Sequence, residues 1–175
     1  MTAWPYPCPV DDGGAAHLVA HTPVPDLRLP STLGGPVSLA RVPGRLLVFV
    51  YPWTGRAGVT NPPGWDDIPG AHGSTPEAEG FRDHYAELKG LGLEVFGQDP
   101  AWQAEFAERL RLPFALLSDR DLVFGGALRL PVFEAGGVRY LKRLTLVIAG
   151  GRIERVVYPV HPPDRHAAEM LRLLP

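Results

Sequence analysis

The sequence predicts an α/β fold with a central mixed sheet flanked by helices, preceded by an extended N-terminal arm. Short apolar strands alternate with amphipathic helices in the middle of the chain, and strands joined by glycine pairs precede a final helix. The apolar run LLVFVY at Leu46–Tyr51 is too short for a core helix and rich in residues that favour strands. We therefore place the central strand of the sheet there.

Composition predicts one globular domain and excludes several functions. The chain has 175 residues, of which 45% are hydrophobic, enough for one core. We expect a Pro/Gly-rich arm at 1–25 and a single domain at 26–175. The net charge is −2 and the basic residues are scattered, which predicts neither a nucleic-acid nor a membrane partner. The absence of an apolar leader or spanning run predicts a cytoplasmic protein.

The first elements in chain order are a hairpin, the central strand, a long loop and a helix. Leu27 and Leu29 alternate with Val37 and Leu39 on either side of a glycine pair, which predicts the hairpin. About twenty residues rich in Pro and Gly follow the central strand, and ordered loops of that length are usually functional. The next helix is predicted to open at Thr75-Pro76 and to end at Gly90.

The later elements follow the same rules of periodicity and capping. We expect the buried face of the second helix to carry Trp102, Phe106 and Leu110. In chain order the predictions are a strand at Leu93–Phe96, a helix opening at Asp99-Pro100, a strand at Phe114–Leu117, a helix at Asp121–Leu128, a hairpin at Val132–Tyr140, strands at Leu144–Ala149 and Ile153–Tyr158, and a helix after Pro162-Pro163. This is the order of a thioredoxin-like sheet.

Ser74 lies where the loop meets the first helix. A helix N-terminus presents unpaired N–H groups and a partial positive charge, which favour an anion there. A thiol at this place would be an activated nucleophile, whereas a hydroxyl keeps its proton and serves as a cap. Ser74 and Glu77 fit a capping box, although Pro76 indicates that Thr75 is the cap.

The segment GSTPEAEGFRD resembles the active-site segment of peroxiredoxin Q, the bacterioferritin comigratory protein-like type of the AhpC/TSA family. That pattern is Gly-Cys-Thr, two residues, Ala-Cys, one residue, then Phe-Arg-Asp. Arg143-Leu144-Thr145 resembles the family's Arg-x-Thr before its late strand, and Leu112–Asp119 resembles the strand before its short helix. The likeness covers roughly Pro25 to the C-terminus. The residues in register within the segment are Gly73, Thr75, Ala78, Phe81, Arg82 and Asp83.

The resemblance implies a thioredoxin-like fold and a peroxidase that needs no cofactor or metal. Its substrate would be hydrogen peroxide or an organic hydroperoxide, its reductant an external thiol such as a thioredoxin-like protein, and its state a monomer or homodimer. Arg143 would hold the peroxide, assisted by backbone N–H groups of Gly73 and Ser74, with Thr75 beside them. Pro52 and Arg82 belong to the surrounding binding region, Arg82 as an ion-pair partner and not as a catalyst.

Four positions depart from the family pattern. Ser74 stands at the peroxidatic cysteine, Glu79 at the resolving cysteine and Ala71 at the family's threonine, while Pro52 is separated from the site by the long loop. A serine hydroxyl has neither the acidity nor the oxidation chemistry of a thiol, so the chain as written is predicted to be inactive. Ser74 is either a Cys→Ser replacement, which the intact flanking motif favours, or a natural loss that leaves a binding or sensing module.

Other site chemistries find less support. A Ser-His-Asp hydrolase could use Ser74 with His72 or His84 and Asp83, but residues this close in sequence rarely assemble a triad, and no GxSxG elbow exists. His17 and His21 are four apart without a helical context, so we expect solvated histidines and no metal site. Cys8 is the only cysteine, which excludes an internal disulfide, and we expect it to be inert or a distant resolving thiol.

Overall fold

The computed structural model describes residues 4–88, 92–97 and 100–174. The strands and helices in chain order are β1 Arg45–Val50, α1 Ser74–Asp83, α2 Tyr85–Leu88, β2 Gly92–Gly97, α3 Pro100–Leu110, β3 Leu117–Ser118, α4 Val123–Ala127, β4 Val132–Ala135, β5 Val138–Leu141, β6 Leu144–Ala149, β7 Arg152–Val157 and α5 His166–Leu173. Two short 3-10 turns lie at Trp65–Asp67 and Pro163–Arg165.

The main sheet has five strands in the order β3-β2-β1-β6-β7, and β4 and β5 form a separate two-stranded hairpin. Strand β1 pairs with β2 in parallel and with β6 antiparallel, so the predicted mixed sheet is confirmed. Both faces of β1 are covered, because its side chains alternate between two apolar clusters. This explains why consecutive residues from Leu46 to Val50 are all apolar.

The two apolar clusters define the layers of the molecule. On one face of the sheet, Val48 of β1 packs with Ala15, Leu18 and Val24 of the arm. On the other face, Phe49 stacks on Phe81 of α1 with ring centroids 4.3 Å apart. Helices α3 and α5 complete this second layer. The site at the start of α1 therefore rests on a helix that is fixed by a fully buried aromatic pair.

The predicted hairpin around Leu29 and Val37 is wrong as a strand pair. The two residues form one isolated bridge, and the chain then turns to the main sheet, where Ser31 bridges to Leu117. Thr32 exchanges hydrogen bonds with Leu116, through its backbone N–H at 3.0 Å and its hydroxyl at 2.9 Å. These two bonds occupy the N–H and the carbonyl of Leu116, and the strand predicted at Phe114–Leu117 pairs with β2 only at Leu117–Ser118.

The helix predicted from Thr75-Pro76 to Gly90 is interrupted. It ends at Asp83 because His84 has a ψ of 10° and shares its N–H between the carbonyls of Gly80 and Arg82. The second piece, α2, brings Tyr85 to within 5.8 Å of Phe114, ring centroid to ring centroid. Gly90, and the Asp99 predicted to begin α3, lie outside the described residues.

Other predicted elements agree closely with the structure. Strand β6 has the predicted bounds, and β7, α4 and the β4–β5 hairpin differ by one or two residues at their ends. On α3, however, Trp102 is partly exposed, and the buried face uses Gln103 with Phe106 and Leu110. Gln103 is buried because its side-chain amide donates to the Leu117 carbonyl at 2.8 Å. Within the described residues, no helix has the length and apolar character needed to cross a membrane.

Candidate active site

The site is built at the first turn of α1. Gly73 caps this helix with a φ of 112°, a conformation that L side chains rarely adopt. A Cβ at Gly73 would lie 2.2 Å from Cγ of Pro163, so the C-terminal segment also requires glycine here. The predictions that Ser74 or Thr75 caps the helix by its side chain are therefore wrong. Ser74 is instead the first helical residue, 8% exposed, with its side chain turned inward.

Arg143 lies between β5 and β6 and its guanidinium reaches the start of α1. Its Nη2 donates to Oγ of Ser74 at 3.3 Å and to the carbonyl of His72 at 3.2 Å. Only 3% of Arg143 is exposed. The sequence predicted both residues for the site, and the fold brings them together across 69 positions of the chain. Whatever atom stands at position 74 faces a fixed positive charge and the positive end of α1.

Glu77 completes this arrangement and was assigned only a capping place by the sequence. Its carboxylate accepts a short hydrogen bond from Nη1 of Arg143, and the residue is fully buried. Burial raises the pKa of Glu77 to about 7, while the adjacent Arg143 charge opposes that rise. The signal in the sequence was its spacing, since a residue three positions after Ser74 lies on the same face of a helix.

A buried histidine lies near the same arginine. His166, at the start of α5, has its Nε2 2.6 Å from the hydroxyl of Thr145 on β6. Burial lowers the pKa of His166 to about 3, with a further contribution from the charge of Arg143. The expectation of solvated histidines is therefore wrong for His166, which is 1% exposed. Thr145, which lies in the strand predicted at Leu144–Ala149, holds this imidazole.

Within the described part of the chain, several buried polar atoms around Arg143 make no hydrogen bond. Among the described residues, four buried side-chain atoms have no hydrogen-bond partner: Oε1 of Glu77, Nε of Arg143, Nδ1 of His166 and, on α3, Oε2 of Glu105. Unsatisfied buried polar atoms are rare and concentrate at functional sites. Two of them belong to the Glu77–Arg143 pair, and His166 is close enough for the charge of Arg143 to lower its pKa, which supports the assignment of this region as the candidate site.

The other predicted residues lie at different distances from this centre. Thr75 lines the pocket above Ser74, whereas Pro52 is buried directly after β1 and is not one of the described residues that line it. Arg82 pairs with Asp83 and donates to the Leu110 carbonyl at 3.0 Å, so it joins α1 to the end of α3. Glu79 is partly buried on α1. Ala71, at the place of the family's threonine, offers its carbonyl to Arg143 at 3.5 Å.

The pocket itself is a cleft of about 270 Å³. Its polar floor is formed by Gly73, Ser74 and Thr75, and its lining includes the rings of Trp4, Tyr6, Trp53 and Trp65. Trp4 and Tyr6 belong to the N-terminal arm, and the two other rings belong to the loop after β1. The long loop predicted to be functional therefore reaches the site.

The hydrolase alternative does not assemble. His72 is bonded through Nε2 to Asp66 at 2.8 Å, and His84 to Glu87 at 2.8 Å, while Asp83 pairs with Arg82. In the described part of the chain, no group of three or more His, Cys, Asp or Glu side chains is placed to hold a metal ion. Cys8 is exposed. The side chains that a Ser74 triad would need are therefore bonded to other partners.

Comparison with known proteins gives one consistent relationship. A chloroplastic peroxiredoxin Q from Sedum lineare is 30% identical over 155 residues, which cover 86% of this chain and 74% of the relative. A chloroplastic peroxiredoxin Q from Populus jackii is also 30% identical over 155 residues, but this chain covers only 65% of that relative's length. No protein-family model matches the chain.

A solved structure supports the same relationship at the level of the fold. Peroxidoxin BcpB from Mycobacterium tuberculosis superposes with a TM-score of 0.69 at 26% identity, covering 91% of this chain and 99% of the other. The fold and the site together define a thioredoxin-like α/β protein with an arginine-backed helix start, which confirms the predicted fold class. More particularly, the chain belongs to the peroxiredoxin Q family.

Proposed function

We propose that this site is that of a peroxiredoxin-type thiol peroxidase in which serine occupies the position of the nucleophile. The supporting observation is the placement of Ser74 Oγ, which lies at the start of α1 and 3.3 Å from Nη2 of Arg143. Both features stabilise an anionic sulfur, and both are superfluous for a neutral hydroxyl. The chain with Ser74 does not turn over peroxide.

With a cysteine at position 74, the chemistry would follow from the surroundings. The thiolate attacks one oxygen of the peroxide, the O–O bond breaks, and the other oxygen leaves as hydroxide or alkoxide and takes up a proton. Arg143 and the first-turn N–H groups stabilise the negative charge as it moves from sulfur to the leaving oxygen. The sulfenic acid then condenses with an external thiol to form a disulfide and water, and a second thiol releases it. A thioredoxin-like protein is the proposed reductant.

A second candidate is a peroxiredoxin Q scaffold that has lost catalysis and binds a small anion or a partner protein. It is favoured by Glu79 at the place of the resolving cysteine and by the presence of a single cysteine, Cys8, in the whole chain. In this case Arg143 serves binding alone. A cytoplasmic location and a monomeric or dimeric state stay predictions for either candidate.

The Ser74→Cys variant separates these candidates. We expect it to consume hydrogen peroxide or an organic hydroperoxide in the presence of a thiol reductant far faster than a free thiol does. The Ser74→Cys substitution is introduced into a chain that also carries Cys8→Ser, so that position 74 holds the only thiol. Replacing Arg143 with Gln in the same background should lower the rate by roughly 10² to 10³, with circular dichroism to verify folding.

Two outcomes would count against the peroxidase. A Ser74→Cys protein that reacts no faster than a free thiol would favour the binding module. Esterase activity that is present in the native chain and lost in Ser74→Ala would support the Ser-His-Asp hydrolase alternative instead, although His72 and His84 are bonded to other residues.

A further inference from the structure

The pocket above Ser74 has one polar end and one aromatic end. We call Trp4, Tyr6, Trp53 and Trp65 the aromatic wall; all four line the pocket. Two come from the arm and two from the loop between β1 and α1. The start of α1 supplies the floor, and the two long irregular segments of this chain supply the wall.

The loop side of the aromatic wall is held rigidly. Trp65 is 3% exposed, and its ring meets Tyr140 of β5 edge to face at 5.0 Å. Trp53 packs against Trp65 with ring centroids 5.4 Å apart and against Trp102 of α3 at 6.0 Å. Rings fixed on several sides lose little freedom when a ligand arrives, which favours binding.

The two rings of the aromatic wall that come from the arm are held against the segment that precedes α1. The ring of Tyr6 lies parallel to His72 with an interplanar angle of 7° and centroids 3.6 Å apart. The carbonyl of Pro7 accepts a hydrogen bond from the N–H of Gly70 at 3.3 Å. The arm therefore runs beside residues 70–73 and carries its aromatic side chains to the entrance of the pocket.

The size and charge of the pocket limit what can fill it. The cleft has a volume of about 270 Å³, slightly below the roughly 300 to 1,000 Å³ that is typical of ligand sites. An aromatic cage can attract an organic cation, but the floor here is the start of α1, whose unpaired N–H groups carry a partial positive charge, and Nη2 of Arg143 donates to Ser74 from behind it. A neutral or anionic head on a ring-sized apolar body matches both ends.

We infer that the aromatic wall selects hydroperoxides that carry an aromatic ring over hydrogen peroxide and small alkyl hydroperoxides. This inference rests on the proposed function for the identity of the head group. The ring gains apolar burial and edge or face contacts with the wall, while the hydroperoxide reaches Ser74 and the first turn of α1. Hydrogen peroxide leaves the aromatic end of the pocket empty.

Binding can be measured without catalysis, because the native chain has no thiol at position 74. Cumene hydroperoxide and tert-butyl hydroperoxide share the head group and differ by a phenyl in place of a methyl. In calorimetric titrations of the full-length chain with Cys8→Ser, which leaves no thiol for a hydroperoxide to oxidise, we expect cumene hydroperoxide to bind at least about ten-fold more tightly. Equal affinity for the two compounds would overturn the inference.

Variants of the wall assign the preference to particular rings. Tyr6→Ala and Trp53→Ala should each reduce the ratio of the two affinities several-fold. The matched control is Trp102→Leu, which removes a ring that contacts Trp53 but does not line the pocket. The inference fails if Trp102→Leu lowers the ratio as much as Tyr6→Ala does.

Kinetics in the Ser74→Cys background keep the two proposals separate. We expect kcat/KM for cumene hydroperoxide to exceed that for tert-butyl hydroperoxide, and Tyr6→Ala to remove the difference. A variant that reduces both compounds equally well, with no effect of Tyr6→Ala, would refute the selectivity while the peroxidase stands. A variant that reduces neither, while the native chain binds the aromatic compound through the wall, would refute the peroxidase and support the wall.

Discussion

Two buried ionisable residues near Arg143, Glu77 and His166, have pKa values displaced in opposite senses. Burial disfavours the charged form of each, so it raises the pKa of Glu77 to about 7 and lowers the pKa of His166 to about 3. Glu77 gains charge as pH rises, whereas His166 gains charge as pH falls. Their effects on stability therefore have opposite signs.

The sign for each follows from the order in which folded and unfolded chains titrate. Glu77 has an ordinary value of 4.5, so between pH 4.5 and about 7 the unfolded carboxyl ionises first and the free energy of unfolding falls as pH rises. His166 has an ordinary value of 6.5, so between pH 6.5 and about 3 the unfolded imidazole is protonated first and stability falls as pH falls. Between pH 4.5 and 6.5 both groups titrate, and their effects on the free energy of unfolding oppose each other.

We predict that Glu77→Gln removes the contribution that makes the free energy of unfolding fall as pH rises from 4.5 to about 7. The difference between the native and E77Q free energies of unfolding should change steadily from pH 4.5 to 7 and level off above it. Urea unfolding at half-unit pH intervals measures this difference, and His166→Gln is the companion variant, expected to change the profile with the opposite sign between pH 3 and 6.5. A difference that is flat in pH would show that Glu77 keeps an ordinary pKa.

The residues of the site could be predicted to different extents. Ser74, Arg143 and Gly73 were recognisable because a local motif carries them. Glu77 and His166 were missed as site residues because their roles depend on burial among elements distant in sequence. A glutamate in a first helical turn is usually a solvated capping residue, and only the arrival of Arg143 from the other side of the sheet changes that.

At the scale of elements, the junction between α1 and the 3-10 turn Pro163–Arg165 sets the orientation of the site. Gly73 combines a φ of 112° with an approach to Pro163 that leaves no room for a Cβ. A side chain there would meet both obstacles, since L residues in this region of backbone space cost about 1 to 2 kcal/mol before any clash. The helix start cannot move without displacing Ser74 from Arg143.

We predict that Gly73→Ala lowers the free energy of unfolding by about 2 kcal/mol or more. For a chain of this size, that corresponds to a fall in Tm of roughly 4 to 8 °C. The matched control is Gly35→Ala, because a Cβ at Gly35 meets nothing within 4 Å. Differential scanning calorimetry compares the two, and equal melting temperatures for both variants would contradict the role assigned to Gly73.

The elements that were predicted correctly are those whose identity is local. Leu46–Tyr51 and Leu144–Ala149 are apolar runs bounded by turn or polar residues, and periodicity identifies such strands directly. The segments around Leu29 and Leu116 were mistaken because Thr32 and Leu116 exchange two hydrogen bonds: the N–H of Thr32 donates to the Leu116 carbonyl, and the N–H of Leu116 donates to the Thr32 hydroxyl. Hydrophobic periodicity does not predict that a side-chain hydroxyl will accept a backbone hydrogen bond in place of a neighbouring strand.

At the scale of the whole molecule, the N-terminal arm has two parts with different roles. Residues 15–24 contribute Ala15, Leu18 and Val24 to the core below β1. Residues 4–10 include Trp4 and Tyr6, which line the pocket above Ser74. Between them, Asp12 is anchored by Lys142 at 2.6 Å and by the hydroxyl of Tyr158 at 2.7 Å.

Two truncations test this division. Deletion of residues 1–10 should leave the free energy of unfolding within about 1 kcal/mol of the native value, because the described part, residues 4–10, loses the Tyr6–His72 stack and the Gly70–Pro7 hydrogen bond but holds no residue of the buried core. Deletion of residues 1–25 removes Leu18 and Val24, each worth about 1.5 to 3 kcal/mol when buried. That loss is a large share of the roughly 5 to 15 kcal/mol that holds a domain together. Urea unfolding measures both; equal stability of the two truncated chains would mean that 26–175 folds independently of the arm.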